Sequence, residues 1–150
     1  GQPTALLTDL LDNLSIKYPL ELKNEFTNHP LILIYGQEEL FNGQGGANPN
    51  RIVFITEVKN TQRMSEIMNN WEQTLPEDFK EILNTNPANQ ASQTFLSNER
   101  RGINIRYKNF PLPDKSIDYS ILTSLTNHHY LVITNSRESM YSPTDKIKGL

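Results

Sequence analysis

The sequence predicts an α+β domain: an antiparallel sheet of about five to six strands with helices packed on one face, preceded by an N-terminal helical segment over residues 1–28. Three observations carry this prediction. Apolar runs read as strands at 31–35, which is too short for a typical helix, at the centre of 51–59 (Ile52 to Ile55), and at 130–133. Ile103, Ile105 and Tyr107, and then Ile117, Tyr119 and Ile121, alternate with polar residues, the period of a strand with one wet face. Met64, Ile67, Met68 and Trp71 recur at spacings of three and four, the stripe of an amphipathic helix. At 150 residues the chain reads as a single domain, 1–150, long enough to bury a core.

The elements follow in order. Leu6, Leu7, Leu10, Leu11 and Leu14 stripe one side of a first helix, and the spacing favours burial in its own domain over a stalk. A short second helix begins near Pro19, with Leu22 and Phe26 on one face. Pro30 introduces the 31–35 strand, which is joined to the 51–59 strand by a loop rich in Gly and Asn, so an antiparallel hairpin is expected. A helix starts at Thr61, and Thr74, Pro76 and Glu77 have the cap chemistry of a restart that continues through Phe79, Ile82 and Leu83. Residues 84–92 are polar and carry Pro87, the composition of a loop.

In the last third, 94–96 reads as a short edge strand leading to Arg101 and Gly102. Residues 110–114 turn the chain between the two alternating strands. On their wet face Asp118 is expected near Arg106 or Lys108. A closing helix starts at Ser136, and Pro143 restarts or kinks it. The strand at 51–56 and the helix after it echo the strand at 129–134 and the closing helix, which suggests two strand–strand–helix units.

Composition excludes several function classes. The chain has no Cys, which removes thiol catalysis, disulfides and Cys-ligated zinc. Its net charge is −3, so it has no electrostatic footprint for nucleic acid, and the Arg100, Arg101, Arg106 and Lys108 group reads as a solvated strand face. No apolar run reaches the length of a membrane span. Gly1 has no Met before it, which points to a processed or trimmed start and leaves room for an upstream anchor.

No motif carries chemistry. His29 stands alone, and His128 and His129, being adjacent, point to opposite faces of a strand. Gly43, Gln44, Gly45 and Gly46 have phosphate-loop composition, but the strand after them removes the helix N-terminus such a loop needs. Asp114 to Asp118 places oxygens at alternate positions without the Gly and distal Glu of a calcium loop. Glu38, Glu39, Glu77, Asp78 and Glu99 are explained by caps, solubility and helical pairs. Trp71 lies within the apolar stripe and reads as core. No catalytic, cofactor or metal residues are therefore expected. Asn42, Gly43, Gln44, Gly45 and Gly46 at the hairpin tip are the candidate contact loop for a protein partner.

One resemblance adds to this. The segments Gly102-Ile103-Asn104-Ile105-Arg106-Tyr107, Ser116-Ile117-Asp118-Tyr119 and Ile133-Thr134-Asn135-Ser136-Arg137-Glu138-Ser139-Met140 resemble uncharacterised domains of predicted membrane-anchored proteins in candidate-phyla bacteria. Those domains close on an "iRY … iDYai … liitTSresmy" pattern. The likeness covers roughly the last third and extends to the strand at 51–56. Asn135 stands where the pattern has Thr or Ser, and Pro143 interrupts a helix that otherwise runs on. The resemblance implies a location and no activity: an extracytoplasmic domain in the cell envelope, reached by the membrane only through a segment outside these residues. A cytoplasmic location is the alternative.

The leading reading is a non-enzymatic binding or scaffolding domain of a membrane-anchored protein, in a cell-envelope or surface assembly. It has a protein partner, no nucleic-acid partner and no cofactor, and it predicts a contact surface of loops or a sheet edge without a deep polar pocket. The alternative is a small-molecule or peptide binding domain with an apolar pocket and a few converging polar groups. A hydrolytic enzyme is the third reading and requires distant carboxylates or a His to meet in a cleft.

Overall fold

The computed structural model describes residues 5–28, 30–36, 50–83, 94–111 and 115–150. Its centre is one six-stranded antiparallel sheet in the order β1-β2-β6-β5-β4-β3. The strands are β1 (Leu31–Gly36), β2 (Asn50–Val58), β3 (Leu96–Arg100), β4 (Ile103–Asn109), β5 (Ser116–Thr123) and β6 (His129–Thr134). The helices are α1 (Leu7–Asn13), α2 (Thr61–Trp71), α3 (Leu75–Asp78), α4 (Lys80–Leu83) and α5 (Arg137–Lys148), with a 3₁₀ turn at Leu20–Asn24. The α+β class, the antiparallel sheet and its hairpins are as the sequence predicts. β1 pairs with β2 antiparallel, Leu33 lying opposite Val53.

Two strand–strand–helix units are present, β1-β2-α2 and β5-β6-α5, with β2 and β6 paired antiparallel between them. Their helices lie on opposite faces of the sheet, which corrects the expectation of a single helical face. Phe54, Leu131 and Ile133 pack with Met64, Met68 and Trp71 of α2 on one side. Val53 and Val132, one residue along each strand, pack with Met140 of α5 on the other. The cause is in the strands: β2, β5 and β6 bury residues of both parities, so each face needs a cover. A two-fold axis between antiparallel β2 and β6 would put both helices on one face, so the echo is one of chain order and not of geometry.

The α2 side is the larger core. Leu7 and Leu11 of α1 are buried in it, so the first helix packs on its own sheet. Asp9 holds the start of α1 by accepting the Leu6 backbone N–H at 2.6 Å. Asn60 caps α2, its side-chain oxygen accepting the Arg63 N–H at 2.8 Å. Trp71 is core as expected: its ring meets Phe79 edge-on at 5.6 Å, and its Nε1–H donates to Asp78 at 2.9 Å.

On the α5 side, Ser136 caps the helix where the sequence places its start. The helix runs through Pro143 to Lys148, so Pro143 does not restart it. The Thr144 hydroxyl donates to the Met140 carbonyl at 2.7 Å in that turn. Asp118 also departs from expectation. It is fully buried, lies opposite Tyr107 in the register, and accepts the Ser116 hydroxyl. Successive strand residues face opposite ways, so Asp118 points to the α5 side and away from Arg106.

Candidate functional site

The sheet order places β5 and β4 beyond β6, alongside α2, and this juxtaposition forms a cleft of about 490 Å³. Ser65 and Asn69 of α2 and Glu72 at its C-terminal cap line it at helical spacings of four and three, beside the buried Met64–Trp71 stripe. Asn104 and Arg106 of β4 and Tyr119 and Ile121 of β5 line it from the sheet, all on the α2 side by strand alternation. Ser97 of the edge strand β3 completes the rim.

Arg106 and Glu72 form the floor. Arg106 donates from Nε to Glu72 Oε1 and from Nη2 to Oε2, each at 2.7 Å, a two-point pair. Both side chains are largely shielded, Arg106 at 28% and Glu72 at 14% exposed, which strengthens the pair relative to one in open water. The contact with Glu72 pushes the guanidinium pKa upward against the opposing effect of burial. Arg106 Nη1 also donates to Ser97 Oγ at 2.9 Å.

Tyr119 is the third member, and its hydroxyl donates to Glu72 Oε1 at 2.6 Å. Burial, and then the neighbouring carboxylate, push its pKa upward, so the phenol keeps its proton. The Asn69 side chain lies 3.1 Å from the same hydroxyl. A phenol has one proton, and the shorter, charge-assisted bond takes it. The Asn69 contact is then satisfied with the amide turned so that its N–H donates to the phenol oxygen.

Around this closed network stand groups with capacity to spare. The Asn104 amide and the Ser65 hydroxyl make no side-chain hydrogen bond among the described residues. Asn69 keeps one N–H and its carbonyl, and each Arg106 Nη keeps one hydrogen. Glu72 is the one carboxylate among the described residues lining the cleft, and it already accepts three bonds, two from Arg106 and one from Tyr119. The cleft presents neutral donors and acceptors over an internally neutralised ion pair.

The residues singled out in the sequence lie elsewhere. Asn42, Gly43, Gln44, Gly45 and Gly46, with Glu38, Glu39, His29 and Asp114, lie outside the described residues. His128 pairs with Glu57, Nδ1 to Oε1 at 2.6 Å, and His129 contacts Thr123 at 2.9 Å. Arg100 and Arg101 converge on Asp145, so the basic group is divided among carboxylates on different elements. Glu77 pairs with Lys80, and Asp78 accepts from Thr74 and Trp71. Among the described residues no three His, Asp or Glu side chains are placed to hold a metal ion.

A second surface feature is the edge strand β1. Leu31 and Ile34 are 53% and 65% exposed, and Ile32 is 38% exposed. Among the described residues β1 pairs with β2 alone, and no other described strand borders its outer edge. The opposite edge, β3, is guarded by Glu99 and Arg100, with Arg101 and Gly102 at positive φ in its two-residue turn.

Sequence reasoning missed the cleft. Arg106 and Tyr119 read as surface and core positions of two strands, and Glu72 was not among the carboxylates singled out. The available signal was the Ser65, Asn69, Glu72 line flanking the apolar stripe. No described helix is long and apolar enough to cross a membrane. Compared with protein-family models, curated proteins and solved structures, the chain matches none.

Proposed function

We propose that this chain is a non-enzymatic binding domain that takes a polar ligand in the cleft between α2 and the β4–β5 part of the sheet. The observation that carries the reading is the pairing of a rigid, self-satisfied floor (Glu72, Arg106 and Tyr119) with unsatisfied amides and hydroxyls at the rim. A floor locked by four short-range bonds holds the recognition groups at fixed spacing, so little order has to be gained on binding. The volume lies within the range of small-molecule sites, about 300–1,000 Å³. The cleft is more polar than the apolar pocket expected of a ligand-binding domain, which shifts recognition towards hydrogen bonding. The resemblance alone supports an extracytoplasmic position in a cell-envelope assembly.

A thermal-shift screen of a chemically diverse small-molecule library tests this reading on wild type and Asn104→Ala in parallel. Ligands of the cleft should raise the wild-type Tm and lose that effect in the variant. Hits that stabilise both proteins equally would place binding elsewhere and refute the reading.

The exposed β1 edge favours a second reading: strand addition by an extended apolar segment of a partner protein. Backbone groups along 31–36 supply the hydrogen bonds, and Leu31, Ile32 and Ile34 supply side-chain contact on both faces. Ile34→Lys puts a charge on that edge at an exposed position and should abolish partner capture without lowering Tm. Unchanged capture by the variant would sink this reading.

A further inference from the structure

We propose that the cleft binds an uncharged, polyhydroxylated ligand, with a hexose ring as the chemical class that fits it; this rests on the reading of the cleft as a ligand site. Charge and donor–acceptor balance in the cleft select this class. Glu72 and Arg106 cancel each other at 2.7 Å in two bonds, so the floor offers no net charge to an ion. An anionic ligand meets the Glu72 carboxylate beside the guanidinium it seeks, and a cation meets Arg106 beside the carboxylate. Either can approach one partner only by standing beside the like charge of the other, a repulsion that an uncharged ligand avoids.

The unsatisfied groups are of mixed kind. Asn104 and Asn69 each present an N–H and a carbonyl from one planar amide, and Ser65 presents a hydroxyl that both donates and accepts. A hydroxyl of a sugar donates and accepts in the same way, and vicinal hydroxyls match the paired groups of a primary amide. The two remaining Arg106 hydrogens add donors suited to ring and hydroxyl oxygens. Ile121, half-buried at the wall, gives one apolar contact for a C–H face. A purely apolar ligand would strand these amides without partners.

Amide-shift titrations of the isotope-labelled 150-residue chain with glucose, glucuronate and glucosamine test the class, because the three share a ring and differ in charge. They are run in mildly acidic buffer, where the amino sugar is a cation. Glucose should shift Ser65, Asn69 and Asn104 and bind about tenfold more tightly than either charged sugar. Methyl glucopyranoside, with its anomeric position blocked as in a chain, should bind as well as glucose if the source is a glycan. Binding of glucose alone would assign the site to the free sugar.

Asn104→Ala, at an exposed position, should weaken glucose binding about fivefold with Tm unchanged. Glu72→Gln keeps an acceptor for Tyr119 but uncovers the Arg106 charge, and it should reverse the order of glucose and glucuronate. Tighter wild-type binding of either charged sugar would overturn the ligand class while leaving the cleft a binding site. Failure of all three sugars, with library compounds still dependent on Asn104, would also overturn the class alone. Failure of sugars and library together would remove the site itself.

Discussion

Arg106 on β4 and Glu72 at the C-terminal cap of α2, 34 residues apart in the chain, meet through two parallel N–H···O bonds of 2.7 Å each. The pair ties the helix to the far half of the sheet, where the apolar core gives way to the cleft. Tyr119 closes the same carboxylate from β5. Three elements are thereby locked by one Glu side chain, so the cleft's shape and its electrical neutrality share one cause.

That coupling is measurable. Arg106→Lys loses the two-point geometry and should cost about 1–2 kcal/mol; Glu72→Gln should cost a similar amount. In denaturant unfolding the double variant should be less destabilised than the sum of the singles by about 1 kcal/mol or more. Additive losses would mean that the two side chains are not joined in solution.

Acid should weaken the fold through two other carboxylates. Bonds from His128 and then Asn28 hold the Glu57 carboxyl below its usual range, and Arg100 does the same for Asp145. A lowered folded pKa means stability that is complete above the ordinary carboxylate range and is lost as pH falls through the folded values. Glu57→Gln and Asp145→Asn should each flatten the fall in stability between neutral and acidic pH. A slope unchanged in both variants would remove these groups from the account.

At alkaline pH the prediction concerns Tyr119. Its pKa is raised by burial and by Glu72, so the folded state keeps a proton that the unfolded chain gives up near pH 10. The associated stability is present below that pH and is lost as pH rises towards the folded value. Of the six tyrosines, Tyr119 should ionise only with unfolding, which ultraviolet difference titration of Tyr119→Phe against wild type will show.

Ser136 has two duties: it caps α5 by accepting the Ser139 N–H at 3.3 Å, and it accepts a bond from buried Arg51. Ser136→Ala should therefore cost about 2 kcal/mol, at the upper end for a cap. Asn60→Ala, which removes the cap of α2 alone, should cost about 1 kcal/mol. Equal losses in denaturant melts would show that the Arg51 contact adds nothing.

The sequence carried most of the fold because its signals are local. The run from Ile52 to Ile55, the stripe from Met64 to Trp71 and the cap at Ser136 each specify an element within a few residues. The two-faced sheet was missed, although Leu131, Val132 and Ile133, three consecutive buried apolar residues, are its local signal. The cleft was not legible. It exists because β6 inserts between β2 and β5, which sets β4 and β5 beside the polar flank of α2. That order is a property of long-range pairing, and neither Glu72 nor Arg106 bears a local mark of its partner.

The most direct test of the central claim is an amide-shift map of the labelled chain with the strongest Asn104-dependent compound from the library. The largest shifts should fall at Ser65, Asn69, Glu72, Asn104 and Arg106, which line the cleft from its helical and sheet sides. Shifts centred on Leu31 to Ile34, or spread along α5, would contradict it and move the binding function to another surface.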